Sequence, residues 1–318
     1  MKVLRDPNKS DLGMEKPAVS LGTFDGLHRG HAAILARLLQ AAKAQNRKSV
    51  AVTYDPHPQR VLASGGRAPG LLSTLEERLA RFEAHGVDAV VVLTFSREFS
   101  RQTAEQFVQD ILVGRLDAGH VVVGYDHAFG HDRRGKTDLL KELLAEKGIA
   151  LDVVSPVKSG EGPIKSSRIR RLLSAGELNA VAELLGYPYE FSGRVVPGDH
   201  RGSDLGFPTA NLEVPAEKQL PPQGIYGATA HLSGGAHPAL IHIGPRPTLG
   251  DPRLRVEAHL LDFPPRDLYG LHLTVVPEVI LRKPEAFDTL AELQRQMEKD
   301  REQYIEYRRR KEKTRAPQ

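Results

Sequence analysis

The feature that most constrains this chain is a change in the period of its apolar residues near residue 186. Before it, short apolar runs alternate with segments whose apolar residues recur three and four apart. Ala18–Leu21, Ser49–Tyr54, Asp88–Leu93, Val121–Gly124 and Ile149–Val154 read as strands. Gly30–Gln45, Thr74–His85, Thr103–Val113, Asp138–Lys147 and Glu177–Leu185 read as helices. In the first helix Ile34, Leu35, Leu38, Leu39 and Ala42 share one broad face. Thr74 with Glu77, and Thr103 with Gln106, form capping boxes, and Gly148 stops the helix before it. Runs such as Val90–Val92 are apolar on both faces, which predicts a parallel sheet covered by helices on each side. In such sheets ligands bind beyond the C-terminal strand ends, where strand order reverses.

From Tyr189 the helical period is absent until about Pro284. Phe191–Val196, Phe207–Val214, Tyr226–Leu232, Ala239–Ile243, Arg255–Leu261 and Leu271–Ile280 read as strands separated by Pro/Gly turns. That spacing predicts a small antiparallel barrel or sandwich, followed by a helix over about Glu285–Arg310. A chain of 318 residues suits two domains, divided here as 1–186 and 187–318.

Composition removes several classes. There is no cysteine, so disulfides, thiol nucleophiles and cysteine-based zinc sites are excluded, and a cytoplasmic protein is expected. No apolar run approaches the roughly 20 residues of a membrane span. Met1–Lys16 is polar and broken by Pro7 and Gly13, unlike a signal peptide; Met14 is a second candidate start. The net charge of +4 invites an anionic partner. Positive charge gathers at Arg133–Arg134–Lys136 and in the tail from Arg301 to Arg315. In the tail Glu302, Glu306 and Glu312 alternate with the cations, as in a solvated helix laced with i,i+4 pairs. Trp is absent and no aromatics interleave with the basic runs, so no nucleic-acid platform is expected.

Two segments carry chemistry. Gly22-Thr-Phe-Asp-Gly-Leu-His-Arg-Gly-His31 ends the first strand and opens the first helix. Its glycines at 22, 26 and 30 allow close backbone approach, and the helix end favours phosphate. His28 and His31 can reach the same space and donate to phosphate oxygens as charge develops there. That suits attack on an α-phosphate with pyrophosphate leaving. The segment has no GxxxxGK[ST] run and is not a P-loop. Surface histidines, or zinc with His57 as a third ligand, stay open on residue types alone. The second segment, Gly193–Asn211, is glycine-rich and then becomes a strand. Thr209 and Asn211 share one strand face, and their oxygens are of the hard kind that Mg2+ accepts beside ATP phosphates. Gly198–Gly206 could cover those phosphates with backbone donors. On Arg255–Leu261, Val256, Ala258 and Leu260 take one face, and Glu257 and His259 the other. Glu257 is a candidate base for an attacking hydroxyl; a solvated glutamate is the plain alternative.

These segments carry a resemblance. Gly22–His31 resembles the HxGH motif of the nucleotidyltransferase superfamily, in the GxFDGxHxGH form of prokaryotic bifunctional riboflavin kinase/FAD synthetases. Thr53–Pro58, Phe95–Ser100 and Gly124–Gly130 resemble further stretches of the FAD synthetase domain, and Ile164–Arg170 its second nucleotide signature. Gly206–Asn211 resembles the GxPTAN motif of riboflavin kinases. Gly224–Tyr226, Ile243–Thr248, Val256–Phe263, Leu268–Gly270, Leu281–Arg282 and Phe287–Asp300 follow in family order. The likeness spans roughly 17–305.

The resemblance implies an α/β Rossmann-like nucleotidyltransferase domain followed by a small antiparallel β-barrel with a C-terminal helix. It implies that His28 and His31 contact ATP phosphates, with Gly22, Phe24, Asp25 and Gly30 around them. Ser166, Ser167 and Arg170 would hold nucleotide phosphates at another helix start, and Asp126 would lie near flavin and nucleotide. In the barrel it implies Thr209 and Asn211 on Mg–ATP, Gly198 and Gly206 in the covering loop, and Glu257 activating the flavin 5′-hydroxyl. The expected substrates are ATP, riboflavin and FMN, with FMN and FAD as intermediate and product, on a monomer or weak homo-oligomer. Four residues depart from the pattern. Lys165 stands where the family has a serine, Ser167 where it has threonine, His127 where it has an aromatic and His242 where it often has asparagine. A monofunctional riboflavin kinase with a degenerate first domain, and a non-catalytic flavin-binding protein, are the rival readings.

Overall fold

Valine-rich runs that are apolar on both faces assemble the sheet of the first unit. The computed structural model describes residues 1–63, 68–131, 134–160, 162–198, 208–232, 234–246, 251–264 and 266–315. The chain divides into two compact units, Met1–Arg168 and Ile169–Gln318. The first holds β1 (Lys2–Arg5), β2 (Ala18–Leu21), β3 (Ser49–Asp55), β4 (Ala89–Thr94), β5 (His120–Gly124) and β6 (Ala150–Val154), in the order β1-β4-β3-β2-β5-β6. Every pairing in it is parallel. The order reverses between β2 and β5, which opens a crevice at their C-terminal ends. β1 is not among the predicted strands. It is a four-residue edge whose two apolar residues, Val3 and Leu4, lie between Lys2 and Arg5, too short for a period to register.

The helices are α1 (Lys9–Leu12), α2 (Arg29–Ala44), α3 (Pro58–Leu62), α4 (Leu75–Ala84), α5 (Ala104–Gln106) and α6 (Thr137–Ala145). Both predicted capping boxes form, at the starts of α4 and α5. The helix expected over Thr103–Val113 is not uniformly α: after α5 the chain continues as a π-helix over Phe107–Arg115. Strand residues alternate between two buried layers. Val19, Val50, Val52, Val91 and Val121 pack with Phe107, Ile111, Leu140 and Leu144. Ala18, Ala51, Val90, Val92 and Val122 pack with Leu35, Leu38, Leu75 and Phe82. The period-2 alternation of a strand thus feeds two cores at once.

In the second unit α7 (Ser166–Ser174), which starts at the end of the first, and α8 (Leu178–Leu185) lead into a closed antiparallel barrel. α8 ends at Gly186 in the left-handed conformation, φ 85°. The barrel strands are β7 (Phe191–Val196), β8 (Ala210–Glu213), β9 (Gly224–Leu232), β10 (Gly235–Arg246), β11 (Asp251–Leu260) and β12 (His272–Arg282), in the order β10-β11-β8-β7-β12-β9. Closure removes exposed sheet edges. Val195, Leu212, Tyr226, Ala228, Ile241, Ile243, Val256, Ala258, Leu273 and Val275 are buried on alternating strand positions and fill the barrel. The strand predicted from Phe207 begins at Ala210; Phe207 lies outside the described residues.

The last helix, α9 (Leu290–Arg315), starts and ends five residues later than predicted. The expected i,i+4 pairs Glu306–Arg310 and Arg308–Glu312 form. The helix is not solvated all round, however. Tyr304 is fully buried over Gly227, where a Cβ would lie 2.1 Å from its ring, and its hydroxyl donates to the Ala228 carbonyl at 2.7 Å. Among the described residues no helix is long and apolar enough to cross a membrane.

Candidate functional site

The segment Gly22–His28 carries the chain from β2 into α2 at the reversal of strand order. Three of its residues take positive φ: Phe24 at 50°, Gly26 at 76° and Leu27 at 31°. For Phe and Leu that conformation costs on the order of 1 kcal/mol each, and packing holds it in place. Both side chains are buried, and the Phe24 ring meets Phe82 and His31 edge-on, with centroids 5.1 and 5.3 Å away. The glycines make room for these rings. A Cβ on Gly22 would lie 3.1 Å from the Phe24 ring, and one on Gly30 would lie 3.1 Å from the His28 ring. Asp25 is buried beneath the loop, where its Oδ1 accepts from the Ser73 N–H at 3.0 Å. The Gly26 N–H donates to Ser73 Oγ at 2.8 Å. Ser166 Oγ, at the start of α7, donates to the Asp25 carbonyl at 3.0 Å, so the second signature is anchored on the first.

His28 is the N-cap of α2. Its Nδ1 accepts from the His31 N–H at 3.3 Å, and the two rings stack at 3.7 Å with 12° between planes. Accepting at Nδ1 leaves the proton of a neutral ring on Nε2, a donor for phosphate oxygen. Burial pushes His28 down to about 4, with Asp25 and Asp126 opposing in part. Burial, and then the proximity of His28, holds His31 well below the usual histidine range. Both rings are therefore neutral at pH 7. His31 Nδ1 is buried without a hydrogen-bond partner among the described residues.

This burial has a stability consequence. Below about 6.5 the unfolded chain takes up a proton at each histidine that the folded chain refuses, His28 until about 4. The unfolded state then binds more protons, so stability falls as pH drops through that window, by up to about 1.4 kcal/mol per pH unit for each histidine. Urea unfolding followed between pH 7 and 5 should show this slope, and a His28→Asn variant should show a shallower one.

The sequence reading missed Arg78. It is 1% exposed, and its guanidinium donates to the Thr23 carbonyl at 2.8 Å, to Thr53 Oγ1 at 2.7 Å and to the Tyr54 carbonyl at 3.3 Å. Thr53 Oγ1 also donates to the Thr23 carbonyl at 3.0 Å, so the ends of β2 and β3 are tied beneath the loop. A signal was available: Leu75, Arg78, Leu79 and Phe82 fall on one face of α4, and a charge on an apolar helix face needs a buried partner. Arg78→Met should leave these acceptors unpaired and cost on the order of 2 kcal/mol, read as a lower urea midpoint.

The other expected residues of this site divide. Asp126 follows β5, across the crevice from Gly22, and is exposed. Ser167 and Lys165 are exposed at the start of α7. Arg170 lies in the part of α7 that belongs to the second unit, where its carbonyl accepts from Gln219 Nε2 at 2.9 Å. His127 stacks on Phe129 with centroids 5.7 Å apart. His57 caps α3 by accepting from the Gln59 N–H at 3.2 Å. Among the described residues no group of three or more His, Cys, Asp or Glu is placed to hold a metal ion.

In the barrel, strand register brings the second set together. Asn211 on β8 pairs with Glu257 on β11, and Glu257 pairs with His242 on β10. The three form a row across adjacent strands, on the face opposite the packed interior. Glu257 is 8% exposed, not the solvated glutamate its strand pattern allowed, and its Oε2 lies 3.4 Å from His242 Nδ1. Asn211 is equally buried, and a Cβ on Gly198 would lie 1.9 Å from its Nδ2, so the backbone passes directly over the amide. Thr209 is half-buried just before β8. A ring N–H of His259, two residues beyond Glu257, donates to the Pro208 carbonyl at 2.8 Å and steadies that approach. Gly206 lies outside the described residues.

Comparison with known proteins matches this division. Residues 12–168 match the FAD synthetase family and residues 185–308 the riboflavin kinase family. The bifunctional riboflavin kinase/FMN adenylyltransferase of Escherichia coli (strain K12) is 36% identical over 303 residues, covering 94% of this chain and 96% of that one. The protein of the same name from Listeria monocytogenes is 34% identical over 284 residues, covering 89% of each. The crystal structure of a macrolide-efflux protein from Streptococcus pneumoniae shares the fold, with a TM-score of 0.83 and 28% identity over 95% of this chain and 98% of that one. The chain belongs to the bifunctional riboflavin kinase/FMN adenylyltransferase family.

Proposed function

We propose that this chain makes FAD in two ATP-dependent steps, the first in residues 187–318 and the second in residues 1–186. The observation that carries the reading is the convergence of motif residues within each unit. His28, His31 and Ser166 meet around one loop, and Asn211 and Glu257 are cross-strand partners. In the first step Glu257 takes the proton of the riboflavin 5′-hydroxyl, whose oxygen attacks the γ-phosphorus of ATP; ADP leaves and FMN forms. In the second, a phosphate oxygen of FMN attacks the α-phosphorus of another ATP. The bond to the β-phosphate breaks, and pyrophosphate carries away the electron pair. His28 Nε2–H and the N–H groups at the start of α2 donate to the phosphate oxygens. Asp126, Ser167 and Arg170 complete the nucleotide and flavin contacts.

Thr209 and Asn211 offer neutral hard oxygens, a donor set that suits Mg2+ held mainly by ATP phosphates and water. When bound, the ion neutralises phosphate charge. The absence of cysteine in the chain supports a cytoplasmic enzyme, which we take to be a monomer or weak homo-oligomer. Incubation with riboflavin, ATP and Mg2+, followed by chromatography, should yield FMN and then FAD. Absence of both products would overturn the assignment, and FMN alone would favour the monofunctional kinase.

A further inference from the structure

A triphosphate brings several negative charges to a site whose two histidines are both held neutral by burial. Their N–H groups can donate, but they carry no positive charge, so charge compensation from the protein falls to cationic side chains. Besides Arg170, Lys165 offers one. Its neighbours on both sides lie against the loop: Ser166 Oγ bonds to the Asp25 carbonyl at 3.0 Å, and a Cβ on Gly30 would lie 3.8 Å from the Ile164 carbonyl oxygen. The residue between them is therefore held beside the start of α2. Its side chain is exposed and makes no hydrogen bond or ion pair with the described residues. By contrast, the guanidinium of Arg168, one turn further on, is engaged by the Ser159 carbonyl at 2.9 Å.

We propose that Lys165 is a catalytic residue of adenylyl transfer, binding through its ammonium group the pyrophosphate portion of ATP as it leaves. The proposal rests on the adenylyltransferase reading given above. As the bond between the α-phosphorus and the bridging oxygen breaks, charge grows on that oxygen and on the pyrophosphate beyond it. A cation at this place stabilises the transition state more than bound ATP. The serine that the family resemblance leads one to expect can donate a hydrogen bond but brings no charge. Lys165 is then a gain in this chain, not a damaged signature.

The full-length protein carries two controls: riboflavin phosphorylation shows that the second unit is intact, and Lys165→Arg, which keeps the charge, shows whether the first unit tolerates a change at this position. Three variants are compared: Lys165→Ala, Lys165→Ser and Lys165→Arg. With FMN and ATP, the Ala and Ser variants should lose about 10–100-fold in kcat/KM for ATP, the worth of one charge-assisted hydrogen bond. In the reverse direction, with FAD and pyrophosphate, both should show a raised KM for pyrophosphate. The Arg variant should stay within a few-fold of wild type, and all three should phosphorylate riboflavin normally. Wild-type adenylyl transfer in Lys165→Ala would overturn the proposal, as would an equal loss in Lys165→Arg. A wild-type protein that makes no FAD would overturn the underlying reading, and the proposal with it.

Discussion

Replacing Glu257 with glutamine should slow FMN formation by about 10²–10⁴-fold, the usual worth of a general base. FAD formation from supplied FMN should continue at the wild-type rate. Glutamine matches glutamate in size and keeps an oxygen facing His242 Nδ1, 3.4 Å away in the native protein. The row across β8, β11 and β10 therefore stays packed. What is lost is the group that accepts the hydroxyl proton. Binding should change little, so the loss should appear in kcat and not in KM for riboflavin. Steady-state assays of each half-reaction on one preparation separate the two. An unchanged kcat for FMN formation would remove Glu257 from the mechanism.

His28→Ala should halt the product sequence at FMN, with adenylyl transfer reduced by about 10²–10³-fold, as when a preorganised donor is removed from a site of developing charge. Two effects combine in this variant. One is loss of the Nε2 donor; the other is loss of the cap that Nδ1 provides to the His31 N–H. Removing a cap costs about 1 kcal/mol of stability. His28→Asn separates them, because its amide oxygen can cap α2 but cannot place a donor where Nε2 lies. It should be as inactive in adenylyl transfer as His28→Ala, yet more stable to urea. Riboflavin phosphorylation should survive in both.

The fold was largely legible because its periods are strong. Val90–Val92 and Val121–Val123 could only be buried strands, and Thr74 with Glu77 announced a helix start that the structure forms. β1 escaped because four residues carry too little pattern, and the π-helix at Phe107 because its apolar spacing resembles that of an α-helix. The candidate sites were legible where chemistry is local in sequence, as in Gly22–His31. They were not where it depends on register. Nothing in the order of residues says that Asn211 faces Glu257, since 45 residues and two intervening strands separate them before the barrel closes. Arg78 was hidden for a similar reason: its partners are carbonyls, and a carbonyl leaves no mark in a sequence.

The space that Gly22 leaves for the Phe24 ring bears on how such sequences vary over evolution. A glycine retained for a ligand's sake is fixed whatever its neighbours do. A glycine retained for a neighbouring ring is fixed only while the ring stays, so positions 22 and 24 should covary across relatives. In this chain Gly22→Ala should be tolerated better beside Phe24→Leu than alone, and the double-mutant cycle would measure that dependence directly.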